Sequence, residues 1–481
     1  MVNAREEKLR PMIQAALDEG GVDAVVSRVC MIMDEFEARI TELERRLNQN
    51  SSNSHKPPSS DGLKRPKRDN SLRSKNSGRK PGGQPGHTGQ TLHASDTPDV
   101  TIEQALQVCP ECGGDLTEEP IHSHEKRQIF ELPDIKMLIT EFLAQRKQCP
   151  RCGVLVTAVF PCEAKAPVQY GSGMQSVMAY LNVRHAIPCE RVAEVCQDLF
   201  QHRPSAGSVV QAVVRCAEQI EPKVEEIRDA LSKENVLHAD ETGVRCQGKT
   251  QWIHVACSAL NSYFSYSPKR GMEGMETAGI LPNYRGTLMH DFWKSYDRFE
   301  CQHSRCGAHL LRELKPFAEE KQQWANKLIE VLIEMKKAAE DAREKNQESV
   351  EEEVRKRLAA NYDRWIEAGM ELHPEAKKPD KQRGRSKQSK ERNLLMRMRE
   401  KREEVLRYFH EIDKPFDNNQ AERDLRMIKV QQKVSGCFRS EKGAERFCTI
   451  SSYISTVRKH GKNVIDAIKA AWVDKNDAVT T

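Results

Sequence analysis

Two Cys-x-x-Cys knuckles, Cys109-Pro-Glu-Cys112 and Cys149-Pro-Arg-Cys152, each followed directly by glycine, constrain the front of this chain more than any other feature. Tetrahedral Zn²⁺ takes four soft thiolates, and each knuckle puts two on one tight turn whose glycine permits the backbone reversal. Together they predict a zinc-ribbon domain over 101–165 with a structural ion, because four thiolates leave no open position for catalysis. A redox use of either pair is the rival, and two matching turns favour the metal. The intervening segment IKMLITEFLAQRKQ (135–148) reads as strand.

Length and composition bound the rest. A chain of 481 residues can hold about three domains. A mean hydropathy of −0.71, with no run of the roughly 18–20 apolar residues a membrane span needs, indicates no membrane role. The opening MVNAREEKLR is charged at once and lacks the apolar stretch of a secretory signal. With the remaining cysteines scattered singly, this points to reduced thiols and a cytoplasmic protein. The net charge of +5 is mild but unevenly placed. Residues 55–80 hold nine Lys/Arg against two Asp/Glu, net +7, and 376–402 hold twelve against three, net +9. Both runs suit a polyanion, and both equally suit solvated linkers.

At the N-terminus Val22, Val26, Val29, Met33, Phe36, Ile40, Leu43 and Leu47 recur in steps of four and three, the seam of a coiled coil. A coiled-coil helix is expected over 1–50, able to pair two protomers, with packing on its own chain as the alternative. The Ser-, Asn-, Pro- and Gly-rich stretch that follows predicts a basic flexible linker over 51–100. Residues 166–230 carry three helical patterns. Pro188 starts the second, and Ser205 or Ser208 caps the third. They permit a helix-turn-helix that binds DNA, or a bundle made only for packing.

The chemistry is concentrated further on. The strand NVLHADETGVRC (235–246) is read as ending in His238, Asp240 and Glu241, and two strands, QWIHVACS and SYFSYS, follow it. After a glycine-rich helical stretch, the strand RGTLMHD ends in Asp291, and ECQHSRC (300–306) leads into a helix with Cys306, His309 and Arg312 on one side. The resulting order β-β-β-α-β-α-β-α is that of an RNase H-like core. A third acid is offered by FDNNQAERDLRMIKVQQKVSG (416–436), where Asn418 or Asn419 can cap a helix that carries Glu422, Arg426 and Lys429 on one stripe. Asp240, Asp291 and Glu422 can hold two Mg²⁺ (or Mn²⁺) about 4 Å apart for phosphoryl transfer, with Arg423, Arg426, Lys429 and Lys433 on DNA phosphates. Glu241, Asp297, Asp417 and Asp424 are neighbouring acids that could replace a chosen ligand, although Glu422 is preferred to Asp424. His238 and His309 read as core hydrogen-bonding residues more than as DNA contacts.

NSSNSHKPPSSD, GGQPGH, the two knuckles, HADET, MHDFWKSY, CGAHLLREL and FDNNQAERDLRMIKVQQKVSGCFRS occur in this order along essentially the whole chain, which resembles transposases of the insertion-sequence-66 family. The resemblance implies a DDE transposase whose acidic triad maps onto Asp240, Asp291 and Glu422, with Lys429 where many DDE enzymes keep a basic residue. It implies cleavage at insertion-sequence ends, then attack of the freed 3′-OH on target DNA without a nucleotide cofactor. Small accessory proteins often accompany family members. The expected fold is multidomain α+β: coiled coil, zinc ribbon, helical region, RNase H-like core begun at 231–319, helical insertion at 320–410, and core completed with a C-terminal tail at 411–481. The insertion is required by spacing, since Asp240 to Asp291 is 51 positions and Asp291 to Glu422 is 131. The N-terminal seam leads to an expected homo-oligomer, and the expected location is the cytoplasm, in association with the nucleoid. A hydrolytic nuclease shares the triad, and a regulatory DNA-binding descendant shares the front end, so strand transfer is the discriminating assay.

Overall fold

The computed structural model describes residues 2–47, 92–133, 135–376, 386 and 388–473. Most of the expected linker, the basic run at 55–80, much of the run at 376–402 and the end of the C-terminal tail lie outside these residues. The described chain forms two compact units: 92–141 with 194–203, and the remainder.

In the larger unit the first element, α1 (Val2–Leu47), is two helices in sequence, because Gly20 is non-helical and Gly21 takes φ 66°. The 4-3 apolar seam begins at Val22, just past this break. Every seam residue from Val22 to Leu47 is solvent-exposed.

The strands β1 (Arg146–Gln148) and β2 (Leu155–Thr157) form a short antiparallel hairpin around the second knuckle. Strand structure within 135–148 is thus confined to its last three residues. A strand needs a partner for its backbone groups, and the knuckle supplies one only to the residues closest to it.

Three helices follow: α2 (Ser172–Val183), α3 (Cys189–Phe200) and α4 (Ala206–Leu231). Ser205 caps α4, its hydroxyl accepting from Ser208 N–H at 3.0 Å. α4 buries Val209, Ala212, Cys216, Ile220 and Val224 at helical spacing, then Ile227 and Leu231.

The central sheet contains β3 (Val236–Cys246), β4 (Lys249–Cys257), β5 (Ser262–Ser267), β6 (Thr287–His290) and β7 (Gln302–Arg305), in the order β5-β4-β3-β6-β7. β3, β4 and β5 are antiparallel neighbours, while β6 and β7 run parallel to β3. β3 does not end at the acids: it runs on to a two-residue turn at Gln247 and Gly248, both with positive φ, as the right-handed twist of a tight hairpin requires. Asp240 therefore stands in mid-strand. Between β5 and β6 comes the short helix α5 (Met272–Thr277), but the expected helix between β6 and β7 is only a 3₁₀ turn at Tyr296–Arg298.

Alternate residues of β3 enter different cores. Leu237 and Ala239 join Leu288, Tyr284 and Tyr296 on one face, whereas Val244 and Cys246 pack on the other with Leu425, Ile428 and Ile454. Beyond β7 lie α6 (Gly307–Glu319), α7 (Gln323–Glu344), α8 (Glu352–Leu372), α9 (Lys390–Glu400) and α10 (Arg402–His410), which share a core around Trp324, Leu332, Tyr362 and Phe409. The chain then returns as α11 (Asn419–Ser435), α12 (Glu441–Lys459) and α13 (Val464–Val473). Ala421, Leu425 and Ile428 seat α11 on the sheet. A Cβ on Gly307 would lie 2.3 Å from the Phe416 ring, so only glycine lets the start of α6 meet the segment leading into α11.

Candidate active site

Pairing between β3 and β6 sets the site. His238 is level with Met289 in the last pair of that ladder, which brings Asp240, two residues further along β3, close to Asp291, the residue directly after β6. Glu422 joins them from the first turn of α11, where the helix dipole favours a carboxylate. Burial foremost, then the charges of Glu241, Asp291 and Glu422, hold the Asp240 carboxyl well above its usual range. Their mutual influence places these acids in one group. Asp240 accepts the Glu241 N–H at 2.8 Å, and Asp291 accepts the Trp293 N–H at 2.8 Å.

Neighbouring acids are distinguished by their partners. Glu241, adjacent in a strand to Asp240, points to the opposite face. There it takes Arg270 at 2.8 Å and the Tyr296 hydroxyl at 2.8 Å. Asp424 is held by Ser262 at 2.7 Å and Lys459 at 2.9 Å, which tie α11 to β5 and α12. Asp297 pairs with Arg305 and Lys401, and Asp417 accepts the Asn419 N–H at 3.1 Å. Glu422 faces Arg312 of α6 at 3.0 Å, with His309 Nε2 at 3.9 Å. Cys306, His309 and Arg312 therefore do share the side of α6 turned toward α11. Among the described residues no cation pairs with Asp240 or Asp291.

Asn418 is the N-cap residue of α11, but its side chain does not cap. Its amide nitrogen donates to Ala239 O at 2.8 Å, and its oxygen faces His238 Nδ1 at 2.9 Å. Its backbone N–H reaches Cys306 Sγ at 3.2 Å. One buried residue thereby joins β3, α6 and α11 where the acids meet. His238 is a core hydrogen-bonding residue, and burial lowers its pKa. Residue types alone marked Asn418 only as a possible helix cap and did not mark Arg270 or Tyr296, because their partners lie elsewhere in the sequence.

On α11, Arg423, Arg426 and Lys433 are exposed. Lys429 turns inward and donates to Gly243 O at 2.9 Å, with burial lowering its pKa. His290, Asp297 and His303 also bring possible ligand atoms within 4.8 Å of one another. The His290 and His303 rings already hydrogen-bond at 2.9 Å, and buried Arg305 neutralises Asp297, so this group has no need of a cation.

The two knuckles repeat one geometry. Cys109 N–H donates to Gly114 O and Gly113 N–H to Cys109 O; Cys149 N–H donates to Val154 O and Gly153 N–H to Cys149 O. Gly113 has φ 75° and Gly153 has φ 70°, the left-handed backbone expected after each pair. Backbone N–H groups of Cys112 and Glu111 pull the Cys109 thiol below its ordinary pKa, and those of Cys152 and Arg151 do the same for Cys149. Both thiols are thereby shifted toward the thiolate form that binds metal.

These features define an α/β protein with a cluster of carboxylates at a mixed five-stranded sheet and two cysteine knuckles earlier in the chain. The profile of the Transposase IS66 family matches residues 167–446, more than half of the chain, and the chain belongs to that family. The zinc-finger binding domain of transposase IS66 matches 107–153, spanning both knuckles, which supports structural zinc and DNA binding. Residues 5–93 match a family of unknown function (DUF6444). Comparison with curated proteins finds no match. No helix among the described residues is long and apolar enough to cross a membrane.

Proposed function

We propose that the chain is a DDE transposase that cuts DNA strands at insertion-sequence ends and joins them to target DNA, with Asp240, Asp291 and Glu422 as its catalytic acids. The observation that carries this reading is the grouping of Asp240 in β3 with Asp291 directly after β6, completed by Glu422, with no cation paired to either aspartate among the described residues. The sheet order β5-β4-β3-β6-β7, with one antiparallel pair of hairpins and two parallel strands, supports an RNase H-like core.

A cluster of oxygen donors whose own charges oppose ionisation fits hard divalent cations, Mg²⁺ or Mn²⁺. When bound, such ions supply charge stabilisation at phosphorus and acidify the attacking hydroxyl. Asp240 and Asp291 hold the sheet side of that site and Glu422 the helix side. Arg312, now on Glu422, is placed to take a phosphate oxygen once the carboxylate has a cation. In the first displacement water forms a P–O bond as the 3′ oxygen leaves. In the second the freed 3′-OH does the same to a target phosphodiester.

Arg423, Arg426 and Lys433 offer exposed charge for DNA phosphates, and Lys429 joins them only if it leaves Gly243. Cys109, Cys112, Cys149 and Cys152 together hold one structural Zn²⁺. The exposed seam of α1 pairs two copies, bringing two DNA ends together. The protein acts on DNA in the cytoplasm, in the nucleoid, with accessory proteins where its element encodes them.

The test is Mg²⁺-dependent cleavage and strand transfer on DNA bearing the element's own ends, with neighbouring accessory proteins added. Joined products from the intact protein, lost in Asp240→Ala, Asp291→Ala and Glu422→Ala while end binding persists, support the reading. End binding without cleavage would replace it with a regulatory role, and cleavage without joining with a hydrolytic nuclease.

A further inference from the structure

On the Glu241 side of the sheet, Arg270 lies within cation–π distance of two indoles. Its guanidinium carbon is 4.3 Å from the Trp293 ring centroid and 4.9 Å from that of Trp252. Nε and Nη2 both donate to Glu241 Oε1, at 3.1 and 2.8 Å, which fixes the plane of the group. Among the described residues its other Nη makes no hydrogen bond. The Arg270 side chain is 47% exposed, and both indoles are only half-buried, so the stack opens to solvent. Neutralising Glu241 needs one cation; it does not need two indoles pressed against an open guanidinium.

The stack lies on the opposite face of β3 from Asp240 and meets the acids at Asp291, directly after β6. Trp293 follows Asp291 by two residues, and its backbone N–H is bonded to the Asp291 carboxylate at 2.8 Å. Trp252 stands opposite Gly243 on β4, three residues along β3 from Asp240. A flat, cationic π surface is what an unpaired nucleobase stacks on, while a paired duplex cannot present a base face to it.

We infer that Trp293, Arg270 and Trp252 form a stacking site for an unpaired nucleobase of the DNA flanking the phosphate that is cut. This rests on the DNA-cutting reading above and adds a requirement to it: a base beside the cleavage point leaves its helix, stacks on the Arg270–Trp293 pair and offers its edge to the open Nη. Unstacking costs a few kcal/mol in a duplex and less at an already unpaired position, so the site favours ends that are melted or mismatched at that base.

The experiment uses the full chain, Ca²⁺ in place of Mg²⁺ to hold the complex before chemistry, and end DNA with 2-aminopurine at successive flanking positions. Emission should change at one or two positions beside the cut. Trp293→Ala should abolish that change and weaken binding of an end with an unpaired flank roughly 5- to 150-fold, the range for loss of one base–aromatic stack. Trp293→Phe, which keeps a ring, should retain most of both effects. Arg270→Lys, which keeps charge on Glu241 but removes the plane, should lose the signal while the melting temperature holds. An intact protein that cuts its ends with no such signal, or with one that survives both Trp293→Ala and Arg270→Lys, overturns the stacking site alone. An intact protein that leaves its ends uncut overturns the underlying reading, and the stacking site with it.

Discussion

Replacing Asp240 by Asn in the metal-free protein should raise its stability, although most buried substitutions lower it. Asp240 lies in β3 and Asp291 directly after the neighbouring strand β6, and adjacent strands lie about 4.8 Å apart. Two carboxylates at about 5 Å repel by roughly 3 kcal/mol at an effective dielectric constant of ~20. Both are partly exposed, and screening reduces this to about 1–2 kcal/mol. Asn keeps the shape and removes the charge. For a domain of 150–250 residues each kcal/mol moves the melting temperature by roughly 2–4 °C, so the variant should melt about 2–8 °C higher in EDTA. Mg²⁺ at ten times its dissociation constant adds about 1.4 kcal/mol to the native protein, and the variant should gain much less. The pH dependence has a fixed sign. Burial and neighbouring acids raise the folded pKa of Asp240, so the folded state binds its proton more tightly than the unfolded state does. Metal-free stability should then fall as pH climbs from the ordinary carboxylate value near 3.9 through the raised folded value. Asp240→Asn should flatten that fall. Thermal melting across pH, with and without Mg²⁺, reads all three effects. A lower metal-free melting temperature for the variant, or equal Mg²⁺ gains in both proteins, would refute Asp240 as an uncompensated acid in a cation site.

Asn418→Ala should cost about 2–4 kcal/mol by stranding Ala239 O and His238 Nδ1, and urea denaturation showing a loss under about 1 kcal/mol would contradict its role as a three-element joint. Purified protein should carry about one zinc per chain, read by elemental analysis. Cys109→Ser and Cys149→Ser should each remove it, whereas retention in either variant would separate the knuckles into independent sites. Cleavage should rise with pH through a range above ordinary carboxylate pKa values, because a cation competes with the proton on Asp240; a rate flat from pH 5 to 8 would argue that Asp240 is not a ligand.

What the residues alone determined follows from short-range physics. Each Cys-x-x-Cys-Gly turn is built within six residues, and both knuckles take the expected left-handed glycine. The period-2 apolar pattern marks the strands, and Asp291 falls directly after β6. The sequence FDNNQAERD places Glu422 in the first turn of a helix. Local rules also misled: apolar, β-prone residues in 135–145 form no strand, since strand formation depends on a partner that no local pattern records. The length of β3 and the reduced helix between β6 and β7 were likewise decided by pairing. Which acids stay uncompensated was a tertiary decision. Glu241, Asp297 and Asp424 resemble Asp240 as residue types, and only the arrival of Arg270, Arg305 and Lys459 sets them apart. Lys429 shared a predicted stripe with Glu422, yet the sheet carbonyl of Gly243 captures it across 186 positions. Asn418 had the signature of a cap and became a bridge, because in a buried site the strongest unmet partners were Ala239 O and His238. Helical and strand periodicities are properties of a few consecutive residues, whereas desolvation and charge compensation are properties of whatever the fold brings alongside.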